Sequence, residues 1–149
     1  MTVTTRRLGK GDNTQAAEEL LVRFFREEAF STPANVIRSH CRKMAEVETC
    51  GLFIADAAGK PSGVATVSMQ FGIEFGWLGE MGDLYVLPTR RGQGVARALV
   101  LAVEDFLQRR GAAGCQVTLT QHSQRYGLRE FYSRLGFAQE GREILYRKL

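Results

Sequence analysis

The stretch "LYVLPTRRGQGVARALVLAVEDFLQRR", residues 84–110, narrows the possible folds more than any other part of the chain. It begins as an apolar strand and is stopped at Pro88, because proline cannot donate to a sheet ladder. Two arginines and a Gly-x-Gly follow. Val95, Leu99, Val103 and Phe106, joined by Ala96, Val100 and Leu107, then recur at helical spacing and predict a helix over 93–110. "CQVTLT", residues 115–120, reads as the next strand. A strand, a helix and a strand in that order imply one parallel pair covered by a helix.

The flanking segments extend this unit. Val3 to Leu8 reads as a strand, and residues 9–11 as a turn. Asp12 and Gln15 resemble a capping box ahead of a helix carrying Ala16, Leu20, Leu21, Phe24 and Phe25 on one face. Thr32-Pro33 predicts a second helix, with Thr32 as N-cap and Pro33 at the first helical position, running to Ala45. "CGLFIAD" and "VATVSMQF", joined by "AAGKPSG", form an expected hairpin. "FGWLGEMGDLYVL" follows as a long strand whose glycines mark a bulge or a close backbone approach. A short helix is expected over 126–135, and a closing hairpin about Gly141 from "FAQEG" and "EILYRKL". The expected fold is α/β: a mixed, mostly antiparallel sheet of six to seven strands with helices on both faces, in a single domain over 1–149.

With 44% apolar and 24% charged residues the chain can build a packed core, which argues against disorder. It holds no apolar run approaching the roughly 20 residues of a membrane span. Its first residues, "MTVTTRRLGK", lack the apolar stretch of a signal peptide, so a cytoplasmic protein without a membrane partner is expected. Cys41, Cys50 and Cys115 are odd in number and show no C-x-x-C spacing, and His40 and His122 are far apart. No disulfide framework or metal site is expected. Charge is uneven: through Tyr85 there are 9 Lys and Arg against 11 Asp and Glu, and from Val86 onward 11 against 5. The basic part lacks the aromatic interleaving of single-strand binders, so no nucleic-acid partner is expected.

The stretch after Pro88 has a definite physical reading. A helix start leaves free N–H groups, and its dipole favours an anion. Glycines let those groups approach a bulky ligand, and Arg90 and Arg91 add donors matched to phosphate oxygens. The reading is a pyrophosphate cradle. No Lys-Ser/Thr follows, as a P-loop requires, and Arg97 stands where a dinucleotide fingerprint places its third glycine.

"LYVLPTRRGQGVARAL" resembles motif A of the GNAT superfamily of acetyl-CoA-dependent N-acetyltransferases, [QR]-x-x-G-x-[GA], with its core at Arg91-Gly92-Gln93-Gly94-Val95-Ala96. Downstream, "EFYSRLGF", residues 130–137, resembles motif B of that family. The resemblance implies acetyl-CoA as cosubstrate, with Leu84, Tyr85 and Val86 along the pantetheine arm. It implies that the N–H groups of Arg91 to Ala96 hold the pyrophosphate, beside the charge of Arg90; Arg125 and Leu128 depart from the Asn and Ala of many relatives, and Arg125 is a further candidate for a phosphate contact. The parallel strands are expected to splay and admit the thioester.

The implied chemistry is direct attack of a primary amine in a ternary complex, with Tyr132 as acid toward the departing thiolate. Relatives carry a glutamate where this chain has Gly82, so the base is expected to be Glu80 or a water it holds. Asp83 points the other way unless a bulge re-aims it, and otherwise has a structural role. Glu27, Glu28, Glu74 and Trp77 lie in segments that shape the acceptor pocket of similar proteins. Carboxylates beside aromatic walls suit a small cationic amine such as an aminoglycoside-like antibiotic or a polyamine. Protein lysine or N-terminal acetylation, and a non-catalytic acyl-CoA-binding module, are the alternatives. Similar proteins are commonly homodimers.

Overall fold

A computed structural model of the chain describes residues 1–120 and 127–149. The chain divides into two compact units, Met1–Thr118 and Leu119–Leu149. The first holds β1 (Val3–Leu8), α1 (Gln15–Glu27), α2 (Ala34–Glu46), β2 (Cys50–Ala57), β3 (Lys60–Gly72), β4 (Gly76–Val86), α3 (Val95–Arg109) and β5 (Cys115–Val117). The second holds α4 (Leu128–Arg134). The strands lie in the order β1-β2-β3-β4-β5, antiparallel up to β4, with β4 and β5 parallel.

Period-two alternation sends each strand's side chains to two opposite layers. Leu52, Ile54, Val64 and Tyr85 face one side and meet Leu20, Leu21, Ile37 and Cys41 of α1 and α2. Phe53 faces the other side, where its ring stacks edge-on against Phe106 of α3 at 5.7 Å. Helices therefore cover both faces. Two sheet glycines set how close α3 lies: a Cβ at Gly63 would come within 2.9 Å of Val95, and one at Gly79 within 2.5 Å of Leu107. α1 and α2 are tied by the buried Glu18, which accepts from Thr14 Oγ1 at 2.6 Å and from Arg42 Nη1 at 2.9 Å.

Several expectations need correction. Among the described residues the sheet has five strands, not six to seven. β5 stops at Val117, and residues 137–149 form no strand although Gly141 turns the chain at φ 74°. In "EILYRKL" Ile144, Leu145 and Tyr146 are 70%, 91% and 86% exposed, and a two-stranded hairpin with no buried face is marginal. The capping box does not form either: Asp12 accepts from Gly9 N, and Thr14 stands at the N-cap. Pro33 is the N-cap of α2 rather than its first helical residue.

α1 ends in a Schellman turn. Phe30 N bonds to Phe25 O at 2.9 Å, Ala29 N to Arg26 O at 3.1 Å, and the Phe25 and Phe30 rings lie 5.1 Å apart. The left-handed position, normally glycine, is Ala29 at φ 55°. A left-handed alanine costs about 1–2 kcal/mol, partly offset by the freedom glycine loses on folding. Ala29→Gly is therefore expected to stabilise the fold by about 0.5–1 kcal/mol, read as a raised urea midpoint at constant m-value. A lowered midpoint would show that the turn carries no strain.

Candidate active site

The site is built where β4 runs out. Leu87 N holds Ser62 O at 2.9 Å, and the chain turns through one turn of 3-10 helix at Pro88–Arg90. Gly92 and Gly94 adopt φ 74° and 85°, a region that other side chains enter only with strain. A Cβ at either position would meet nothing within 4 Å, so the two glycines border open space. Gly94 is the N-cap of α3 and makes no side-chain cap, and the first helical bond runs from Ala98 N to Gly94 O at 3.0 Å. The N–H groups of Val95, Ala96 and Arg97 therefore have no acceptor within the helix. Alternating left-handed glycines ahead of an uncapped helix start form a candidate nest, an arrangement suited to an anion.

The parallel ladder is short. Gly79, Glu80 and Met81 pair with Cys115, Gln116 and Val117, and β4 continues beyond it to Val86. Leu84, Tyr85 and Val86 pair with Ala65, Val64 and Gly63 on the β3 side. Among the described residues no strand is laddered to their other edge, and such backbone is of the kind an extended chain pairs with.

A bulge lies between these two regions. Thr66 pairs with Asp83 and Val67 with Met81, so Gly82 is the extra residue. Glu80, opposite Ser68, and Asp83, opposite Thr66, consequently share the α1–α2 face of the sheet. Strict alternation would have separated them. Glu80 accepts from Gln116 Nε2 at 3.0 Å and Thr118 Oγ1 at 3.5 Å. Asp83 accepts from Thr66 Oγ1 at 2.6 Å. Burial pushes the Asp83 carboxyl above the ordinary 3.8, and the Thr66 bond only partly opposes this. The residue itself retains some accessible surface. Thr66, Gln116 and Thr118 escaped sequence reading, because only the pairing of distant strands brings Thr66 to Asp83 and Gln116 and Thr118 to Glu80.

The Arg91 side chain is anchored through its guanidinium. Its Nε donates to Val86 O at 3.0 Å and its Nη2 to Glu27 Oε2 at 3.1 Å. Tyr85 OH donates to the other oxygen of Glu27 at 2.7 Å. Arg90 lies near the surface, with Nη1 3.5 Å from Met1 Sδ. Gln93 Nε2 reaches Thr89 O at 3.3 Å. Glu28 is the C-cap of α1, and Glu74 lies on the β3–β4 hairpin tip with the exposed Phe71, Ile73 and Phe75. Trp77 stacks edge-on against Phe71 at 5.2 Å. In the second unit, Tyr132 is 6% exposed and its ring lies 5.1 Å from Phe131 and 5.3 Å from Phe137. Arg125 lies outside the described residues.

The cysteines offer no nucleophile. Burial is the largest cause pushing the Cys41 thiol up to about 12 and the Cys115 thiol to about 11, and Cys50 is raised too. A nucleophilic cysteine needs the opposite shift. Among the described residues no helix is long and apolar enough to cross a membrane.

Comparison with known proteins agrees with this geometry. The model of the acetyltransferase (GNAT) family matches residues 14–137. An uncharacterized N-acetyltransferase of Methanocaldococcus jannaschii is 30% identical over 92 residues, which is 60% of this chain and 40% of that protein. Aminoglycoside N-acetyltransferase AAC(6')-Iy in complex with CoA superposes with a TM-score of 0.84 at 21% identity, covering 99% of this chain and 95% of that one. The ribosomal-protein-alanine N-acetyltransferase of Brucella melitensis biovar Abortus 2308 superposes at 0.77 and 17% identity, covering 99% and 100%. At such identities the likeness is one of fold.

Proposed function

The chain belongs to the acetyltransferase (GNAT) family, and on that footing we propose that it moves an acetyl group from acetyl-CoA to a primary amine of a small, cationic, aminoglycoside-type molecule. The observation that carries this reading is the pair of left-handed glycines, Gly92 and Gly94, directly downstream of a strand whose parallel ladder, among the described residues, ends at Met81. The nest suits a pyrophosphate, and the open edge at Leu84 and Val86 suits the amides of pantetheine. The residues present therefore fit acetyl-CoA, which supplies the activated acetyl group. Of the expected phosphate ligands, the Arg91 contribution is its backbone N–H, since its side chain is engaged with Glu27.

A protonated amine has no lone pair, so its proton must leave before the nitrogen bonds to the acetyl carbon. Asp83 takes that proton: a carboxyl shifted upward by burial is a better base near neutral pH than an ordinary one. Glu80, oriented by Gln116 and Thr118 on the same face, supplies negative charge for the cationic amine. For the proton that the departing thiolate needs, the motif B resemblance is what assigns Tyr132 as donor. The acidic balance of the residues through Tyr85 favours a polycationic acceptor over a neutral one.

A thiol-release assay with acetyl-CoA tests this against an aminoglycoside, a polyamine, a lysine peptide and a peptide with N-terminal alanine. The aminoglycoside is expected to lead in kcat/KM by at least about tenfold, and Tyr132→Phe to lower kcat by about 10² with acetyl-CoA affinity retained. A peptide in the lead overturns the acceptor assignment. Tight CoA binding without turnover of any amine overturns the enzyme assignment.

A further inference from the structure

Glu27 stands at the last turn of α1, where a carboxylate reads most simply as a ligand for a cationic amine. Its two oxygens are already used. Oε1 accepts from Tyr85 OH at 2.7 Å, and Oε2 from Arg91 Nη2 at 3.1 Å. Arg91 continues the connection, because its Nε holds Val86 O at 3.0 Å and its guanidinium carbon lies 5.7 Å from the Tyr85 ring centre. Phe24, one turn earlier on α1, lies 5.5 Å from the same ring. Burial, with the Glu27 bond next, pushes the Tyr85 hydroxyl up to about 12, so it stays protonated as a donor. Arg91 is the residue immediately before Gly92. A side chain fixed at both Nε and Nη2 restricts the backbone from which it hangs, and that backbone leads into the nest.

We propose that Glu27 is a positioning residue for acetyl-CoA rather than a ligand of the amine. With Tyr85 it clamps the Arg91 guanidinium, and the clamp holds the entry to the pyrophosphate nest in its binding shape. The proposal rests on the acetyl-CoA reading of that nest. It also ties the cosubstrate site to the end of α1, which leads straight into the α1–α2 joint. A substitution on either side of the clamp should therefore register in cosubstrate affinity.

Calorimetric titration of CoA into the wild type, Glu27→Gln and Tyr85→Phe needs no acceptor and separates the two readings. Wild-type protein that fails to bind CoA overturns the acetyl-CoA reading itself. Wild-type binding with about tenfold weaker binding by Glu27→Gln, and a smaller loss for Tyr85→Phe, supports the clamp. Equal CoA affinity in wild type and Glu27→Gln overturns it. Steady-state kinetics give the second readout: the KM for acetyl-CoA should rise about tenfold while the amine KM moves less than about twofold. A rise confined to the amine KM returns Glu27 to the acceptor pocket and overturns the proposal. Should Glu27→Gln fold poorly, Arg91→Met and the Tyr85→Phe/Arg91→Met pair replace it. Losses in CoA affinity that fall short of additive support the clamp, and strictly additive losses overturn it.

Discussion

Asp83→Asn is expected to lower kcat by about 10²- to 10⁴-fold, the contribution of a well-placed general base, while CoA affinity stays within about twofold. The amide keeps an oxygen that accepts from Thr66 Oγ1, so the local packing survives. The pH dependence gives the stricter test. Burial raises the Asp83 carboxyl above 3.8, so the wild-type rate should fall as pH drops through that raised value, and the variant should lack this limb. The stability effect has a definite sign as well. With its folded pKa raised, the native protein holds the proton more tightly than the unfolded chain. Stability is therefore lost as pH climbs from 3.8 through the raised value. Asparagine carries no charge to bury, so the variant should be at least as stable as wild type at neutral pH. Slow turnover in a fully stable protein marks Asp83 as catalytic. Normal turnover in a destabilised one would make it a structural group. Glu80→Gln, run alongside, should act mainly on the amine KM.

The second large effect is expected at Gly94. Valine there would have to adopt φ 85° with a branched Cβ, at a cost of about 1–3 kcal/mol, or else move the backbone out of its nest conformation. Its side chain would also fill the open space bordering Gly92 and Gly94. Gly94→Val should weaken CoA binding by about 10²-fold or more, given the several N–H groups lost together to the pyrophosphate. Gly94→Ala, smaller and unbranched, should lie between the two. Calorimetry checks both, with thermal melts to show that the core is intact. CoA affinity within twofold of wild type in Gly94→Val would remove the nest from the binding site.

What was legible in the chain is what repeats locally. The α3 stripe, the Gly-x-Gly ahead of it and the β2–β3 hairpin follow from local spacing. Distant pairings were not legible. Glu27 reads as a ligand for the amine because no local pattern announces Arg91, 64 positions away. The relation of Glu80 to Asp83 was hidden by one residue, because alternation is a reliable guide only until a bulge shifts its phase. The closing segment failed in the opposite way: "EILYRKL" has strand composition, but Ile144, Leu145 and Tyr146 are left exposed, and composition does not supply a covering surface.

Gly63 and Gly79 take no part in the chemistry, yet they govern its tolerances. They set the height at which α3 rides above the sheet. A methyl at Gly63 would press on Val95 Cγ1 at 2.9 Å and Leu99 Cδ1 at 3.0 Å, the first turns of that helix. Either the neighbours give way or the helix start rises, carrying the donors of the nest with it. Because a hydrogen bond weakens within a few tenths of an ångström of its best length, the clearance under α3 is a dimension of the proposed anion site, set by two glycines of the sheet beneath the helix.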